Sequence, residues 1–457
     1  MDEPTIEDWL DRHHVEIIRT HATTLDGTVV GKYVNRPKFL KTLPEGHGIA
    51  DMALAMDMDG TPHLTFWHEF RNALIGDVHL KPDINTIIWD GIDPDLGHCV
   101  CEFVDVDGNE ISICPRTLLR KVTSQVNELG YEVKAAFELE FFLFSNSFES
   151  ARRRQYRDLD PVTAASSEAI YQARNAYRVK PFMTEVVKRL NWQRFDWESW
   201  SDEGGIGQIE LNFSPKDPVA AADTLSRARQ LIHEVAVDMD MAVTFMAQHS
   251  HGFANGLHIH HSLVDSDDNA AFLDESGRTD FLMQWVAGIV ATTPAATSVF
   301  FPTVNSFRRM REFQAPPVTA SWGEENKSAA LRLITRSAGA ARIENRLPAG
   351  DANPYLALAF ILAGGLAGIR HAMTPPPELT DLGWGLPDEV ERLPNSVMKA
   401  ADVLQADTLL AGVLGQDVID YWINSRRWDW LNFQSSGDDP TSKATTDWEL
   451  KRYFELI

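Results

Sequence analysis

Cysteine is scarce in this chain. Its 457 residues include three, Cys99, Cys101 and Cys114. An odd number that small excludes a disulfide framework and fits a reducing compartment. Cys99 and Cys101 also have the wrong spacing for a Cys-x-x-Cys redox or zinc pair, so all three are expected in the core or at a sheet edge. Positive charge is short as well: 42 Lys and Arg stand against 66 Asp and Glu, a net charge of −24. A field of that sign repels nucleic-acid phosphates and anionic membranes, which excludes both as expected partners. Most of the charge is expected on a solvated exterior, and part of it at a site that needs cations. Long apolar runs are missing. The most apolar stretch, residues 354–369, is shorter than a membrane span and contains Gly364, Gly365 and Gly368. Asn353 and Pro354 suit an N-cap and first helical position, so a buried helix is expected there. The opening MDEPTIEDW lacks the basic start and apolar run of a signal peptide, and a cytoplasmic location is expected. No internal repeat or low-complexity tract is present.

Apolar residues make up 44% of the chain, enough for a large core. The length suggests about two to three domains. Residues 5–12 read as a helix. Residues 15–33 are β-rich, with a turn at Asp26-Gly27. Strand signals follow at residues 63–67, 86–88 and 99–106, with a hairpin turn at Asp107-Gly108. The first hundred residues therefore read as a small α+β domain. A helix starts at Cys114-Pro115 and runs to about residue 129. The polar stretch 146–169, with Arg152-Arg153-Arg154, reads as a solvated loop.

Four segments place charge on one face of a strand. Along a strand, residues i and i+2 share a face. In residues 136–144, Glu138 and Glu140 lie opposite Phe137, Leu139, Phe141 and Leu143. In residues 207–213, Gln208, Glu210 and Asn212 lie opposite Ile209, Leu211 and Phe213. In residues 257–263, His258, His260 and Ser262 lie opposite Leu257, Ile259 and Leu263. In residues 342–347, Arg342, Glu344 and Arg346 alternate with Ile343 and Leu347. Any one segment alone reads as a wet strand face. Several carboxylates gathered on an enclosed face would repel one another, and bound cations remove that conflict. Carboxylates with one imidazole and no thiolate are hard donors, suited to Mg²⁺ or Mn²⁺. Mg²⁺ commonly bridges substrate phosphates, which points to nucleotide chemistry.

These residues, in this order, resemble glutamine synthetase and its relatives that join glutamate to other amines. The family's Glu-x-Glu strand is present at Glu138 and Glu140, its Gly-Gln-x-Glu at residues 207–210 and its Gly-x-His-x-His-x-Ser at residues 256–262. Its Asn-Ser-Tyr-x-Arg element matches residues 305–309, and an Ala-Pro follows at Ala315-Pro316. Its Asn-Arg-x-x-x-x-Arg element matches residues 326–332. Its Arg-x-Glu-x-Arg strand matches residues 342–346, and its Ala-Asn-Pro-Tyr helix start residues 352–355. The resemblance implies an α+β fold: a small N-terminal β-grasp-like domain over residues 1–110 and a large C-terminal catalytic domain over 111–457, with a curved antiparallel sheet flanked by helices. It implies two Mg²⁺ or Mn²⁺ ions, one on Glu140, Glu203 and Glu210, the other on Glu138, His258 and Glu344. It assigns His260 and Ser262 to ATP, Arg309 and Arg346 to glutamate and its acyl phosphate, and Arg332 with Lys327 to the phosphates. It also implies a double-ring homo-oligomer.

Three departures fall on the substrate side. The Asp-Gly-Ser-Ser motif that helps ammonia-using members bind ammonium is replaced by residues 46–51, Gly-His-Gly-Ile-Ala-Asp. The Glu expected before Ala-Pro is Gln314, so the amine's proton is expected to go to Glu203, or to Glu312 after a loop shift. The family's Asn-Gly at glutamate's amino end is Phe253-Ala254. The leading expectation is an ATP-dependent ligase that makes a γ-glutamyl amide from an organic amine. The alternatives are glutamine synthesis from ammonia, a catalytically silent nucleotide- or glutamate-binding relative, and a phosphotransferase that stops at the phosphorylated acceptor. Trp197 and Trp200, just before Glu203, read either as walls of an amine pocket or as core.

Overall fold

The structure is a computed structural model that describes residues 5–63, 76–163, 170–250, 252–313, 316–387, 389–439 and 442–457. The first helix, Ile6–His13, begins where expected. Thr5 Oγ1 accepts the Asp8 N–H at 3.2 Å, and Asp8 accepts the Thr5 N–H at 3.0 Å, closing a capping box. The strands β1 (Ile17–Thr23) and β2 (Val29–Asn35) follow, turning at Gly27, whose φ of +86° suits glycine. With β3 (His47–Ala50), β4 (Asp77–Pro82), β5 (Ile88–Trp89) and β6 (Leu96–Val104) they build a six-stranded sheet. Its order is β2-β1-β6-β4-β3, with β5 also against β6. β1 and β6 are parallel, and the other pairs are antiparallel.

Residues 64–67 of the expected 63–67 strand lie outside the described residues. The 86–88 strand is mostly absent, because Ile84–Thr86 is a 3₁₀ turn. Asp83 Oδ1 accepts the Asn85 N–H at 3.1 Å, a local bond that competes with strand pairing.

The second sheet has eight strands. They are β7 (Tyr131–Phe144), β8 (Trp197–Asp202), β9 (Gln208–Phe213), β10 (Ala242–Thr244) and β11 (Leu257–Asp265), then, beyond the small hairpin β12 (Leu273–Asp274) and β13 (Gly277–Arg278), β14 (Trp322–Glu324), β15 (Leu331–Ile334) and β16 (Arg342–Asn345). The order is β14-β15-β16-β11-β7-β9-β8, with β10 on the far end of β7. Within this sheet, among the described strands, only the β14–β15 pair is parallel. Helices Pro115–Asn127, Ala173–Trp192 and Pro218–Asp238 accompany this sheet, so the α+β expectation is met. Residues 146–169, expected as a solvated loop, contain a helix. It spans Phe148–Arg153, with Ser147 accepting the Ser150 N–H at 3.2 Å and Phe148 buried against His233. The apolar anchor, not the polar average, decides that segment. Residues 164–169 are outside the described range.

Two apolar helices, Asp280–Phe300 and Pro354–Arg370, pack backbone to backbone. A Cβ at Gly288 would fall 2.1 Å from the Gly364 carbonyl oxygen, and one at Gly365 would fall 2.1 Å from the Trp285 ring. The small residues in the apolar run thus serve close packing inside the protein. Asn353 caps the second helix, accepting from the Tyr355 and Leu356 N–H groups, and its amide donates to the Thr24 and Leu25 carbonyls. Among the described residues no helix is long and apolar enough to cross a membrane. All three cysteines are free and buried, and burial pushes the Cys99 thiol up to about 12, away from reactivity.

Candidate active site

Strand register assembles the site. Glu138 on β7 lies opposite His258 on β11, and Glu140 lies opposite Glu210 on β9. His260 pairs with Glu344 on β16, and Glu344 with Arg332 on β15. Period-2 alternation turns these side chains to one face and buries Phe137, Leu139, Phe141, Ile209, Leu211, Leu257, Ile259 and Ile343 on the other. A slip of one residue in any of these ladders would put a carboxylate into the core.

All six expected metal ligands line one cavity of about 230 Å³: Glu138, Glu140, Glu203, Glu210, His258 and Glu344. Lys327, Arg309, Arg332 and Arg346 line it too. His258 Nδ1 lies 3.0 Å from Glu138 Oε2 and 3.8 Å from Glu344 Oε1, and its Nε2 lies 3.8 Å from Glu140 Oε1. Glu138, Glu210 and His258 offer donor atoms within 4.8 Å of one another, and so do Glu138, His260 and Glu344. The tight groupings thus centre on Glu138, whereas the expected division gave Glu210 to the other ion and His260 to the nucleotide. Glu140 accepts the Gly256 N–H at 2.7 Å and the Gln208 amide at 3.0 Å. Gly256 has no room for a side chain: a Cβ there would fall 2.8 Å from Arg309 Nη2 and 3.0 Å from His258 Nε2.

The carboxylates are under-neutralised. Burial, reinforced by Glu138 and Glu140, pushes Glu203 and Glu210 each up to about 7. Burial would raise Glu138 as well, but hydrogen bonds from His258 and His260 outweigh it and hold that carboxyl below its usual range. A hard, divalent cation fits such a set: oxygen donors, one imidazole, no thiolate, and negative charge that burial penalises. One expected outcome follows. A carboxyl raised from 4.5 to about 7 on folding binds more protons in the folded chain between those values. Metal-free stability therefore falls as pH rises through that window. Saturating Mn²⁺ should raise Tm by roughly 3–5 °C near pH 8 and by less near pH 5.5. Scanning calorimetry with and without chelator checks this; an equal shift at both pH values would count against these two carboxylates as ligands.

The arginines differ in freedom. Arg309, 3% exposed, donates to the Leu347 carbonyl at 2.8 Å, while its buried Nε has no partner. Burial lowers Arg309 to about 10, so it remains a cation at neutral pH. Arg346 donates to the Lys327 carbonyl at 2.9 Å and pairs with Glu344. Arg332 bridges Glu344 at 3.0 Å and Glu325. His260 and Ser262 open onto an adjoining cavity of about 360 Å³ that shares Glu138 and holds Lys134, Ser199 and Arg342.

Some expectations meet different geometry. Glu312 does not line the carboxylate cavity. It pairs with Arg392 at 3.0 Å and accepts the Gly385 N–H at 3.0 Å, because the segment after Arg309 turns outward onto residues 385–392. Trp197 and Trp200 pack against the main core and leave the cavity to others. Phe253 does line it, lying over Gly204 where a Cβ would come within 2.8 Å of its ring. Residues 46–51 run from Gly46 through β3 to the start of the turn after it, and none of them lines the cavity. Gln314, Ala315 and His251 lie outside the described residues. Sequence reading missed Tyr171, which lines the cavity with a φ of +59° and is pushed up to about 12 by burial and by Glu203, Glu210 and the neighbouring carboxylates. It sits after a polar stretch with no periodicity, so no local signal marks it.

The chain's relatives agree with this geometry. The profile of the "Glutamine synthetase, catalytic domain" family matches residues 112–453. Glutamate–isopropylamine ligase of Pseudomonas sp is 28% identical over 465 residues, covering 99% of this chain and 98% of that protein. Gamma-glutamylanilide synthase of Acinetobacter sp is 31% identical over 369 residues, covering 77% of this chain and 73% of that one. The solved structure of ligand-free GmaS superposes with a TM-score of 0.82 at 24% identity, over 98% of this chain and 99% of that one, a likeness of fold. With a profile match across most of its length and the same ordered motifs on one sheet face, this chain belongs to the glutamine synthetase family.

Proposed function

We propose that this protein joins the γ-carboxylate of glutamate, or a close analogue, to an organic amine through a γ-glutamyl phosphate. It is an ATP-dependent amide-forming ligase. Glu140, Glu203 and Glu210 would hold one divalent cation, and Glu138, His258 and Glu344 a second, with His260 within reach of the latter. Such ions, when bound, would neutralise phosphate charge during phosphoryl transfer. His260 and Ser262 would hold the nucleotide in the adjoining cavity, and Arg332 with Lys327 its phosphates. Arg309 and Arg346 would grip the acyl substrate. In the second step the amine nitrogen forms a bond to the acyl carbon and the carbon–oxygen bond to phosphate breaks. The proton lost from nitrogen goes to a base, and Glu203, which lines the cavity, suits that task better than Glu312, which is paired elsewhere.

The observation that carries this reading is the single cavity that gathers six ligand side chains and the arginines. The amine preference is supported by the relatives named for isopropylamine and anilide and by the absence of a serine pair in residues 46–51. Residues 1–110 would form the β-grasp-like domain and 111–457 the catalytic domain of a cytoplasmic double-ring homo-oligomer. Phosphate release from ATP and glutamate, measured with ammonium and with alkyl and aryl amines, tests the preference. An organic amine should exceed ammonium in kcat/KM by at least about tenfold. Turnover with ammonium alone would make the protein a glutamine synthetase, and phosphate release without amide would leave the phosphotransferase reading.

A further inference from the structure

A separate cavity of about 910 Å³ lies behind the active cavity. One stretch of chain walls both. Phe307, Met310 and Arg311 face the larger cavity, while Arg309 and Pro316 face the smaller. Its floor is apolar, with Phe307, Val397 and Trp430 continuous with a small buried cluster.

Its polar lining is cationic: Arg308, Arg311, Lys399 and Lys443. The one acidic group among the described lining residues, Glu312, is engaged by Arg392 and the Gly385 N–H. Arg308 is 6% exposed and pairs through Nε with Glu449 at 2.8 and 2.9 Å, yet its buried Nη2 has no partner. Arg311 reaches the Lys443 carbonyl, and Lys399 reaches Asn395 at 3.1 Å. Among the described residues none of Arg311, Lys399 and Lys443 has an ion pair with a carboxylate. In a chain of net charge −24, three uncompensated cations around one apolar hollow are out of keeping with the rest of the surface. An unpaired guanidinium N–H buried in the same wall adds a directional donor without an acceptor.

We propose that this cavity is a regulatory site for a small organic anion. Its carboxylate or phosphate meets Arg308, Arg311, Lys399 and Lys443, and its apolar body lies on Phe307 and Trp430. Because the shared wall carries Arg309, occupancy alters affinity for the acyl substrate, and the acyl substrate alters affinity for the anion by the same factor. That coupling rests on the assignment of Arg309 above; the binding itself does not.

The test titrates the metal-loaded full chain with 1-anilinonaphthalene-8-sulfonate and follows its fluorescence. Phenyl phosphate and benzoate serve as displacers, and the stronger one identifies the head group. The double variant Lys399→Glu/Lys443→Glu, both positions exposed, should keep the wild-type Tm and effector-free turnover while weakening probe binding at least about tenfold. Equal probe affinity in wild type and variant would overturn the site. So would displacement by ATP alone, which would place the probe in the nucleotide cavity. Probe binding that is lost in the variant but leaves the KM for glutamate unchanged in the wild type would overturn the coupling.

Discussion

Glu140→Gln is expected to lower kcat by about 10³-fold, on the order of 4 kcal/mol of transition-state stabilisation, while the protein remains folded. The carboxylate is 8% exposed and lines the carboxylate cavity, opposite Glu210 and 3.8 Å from His258. Glutamine preserves its volume and still offers an oxygen to the Gly256 N–H and the Gln208 amide, which an alanine would leave buried and unpaired at about 1–3 kcal/mol. What glutamine removes is the negative charge that would hold the proposed divalent cation. Steady-state turnover in saturating Mn²⁺, with circular dichroism as the folding control, checks it. Activity within tenfold of wild type would remove Glu140 from the metal set.

Arg309→Lys is expected to cost about 10²-fold in kcat/KM for the acyl substrate, on the order of 2.7 kcal/mol. Lysine keeps the charge and loses the planar fork. The guanidinium spends Nη1 on the Leu347 carbonyl, while its Nε is buried with no partner in the free protein. A substrate carboxylate would satisfy that donor. A single ammonium cannot hold the backbone and grip a carboxylate bidentately. The loss should appear mainly as a raised KM for glutamate if Arg309 binds ground and transition states alike, and mainly in kcat if it grips the developing acyl phosphate. An unchanged kcat/KM would assign the acyl substrate to Arg346 alone.

The legibility of this protein follows the range of the forces involved. The alternation in residues 136–144 and 257–263 is a property of one extended backbone, so it could be read without knowing what the strand pairs with. The caps at Thr5 and Asn353 are equally local. The helix Phe148–Arg153 was missed because one buried aromatic, Phe148, outweighs a polar neighbourhood, and that depends on His233 far along the chain. Tyr171 was missed because its loop is placed by the carboxylate cavity, and the distance of Glu312 from that cavity could not be read locally because it depends on Arg392, 80 positions away.

The sequence by itself determined which residue types gather on which strand faces. That set the hard-donor character of the site, the kinship with a family and the departures at residues 46–51, Phe253 and Gln314. Only the tertiary structure decided that Glu138 meets His258, 120 positions away, that both meet Glu344, and that a cationic hollow shares a wall with the active cavity. The physical reason is the difference between period and register. Period comes from the geometry of a single strand, whereas register between distant strands comes from packing the whole core, which no local stretch of chain contains.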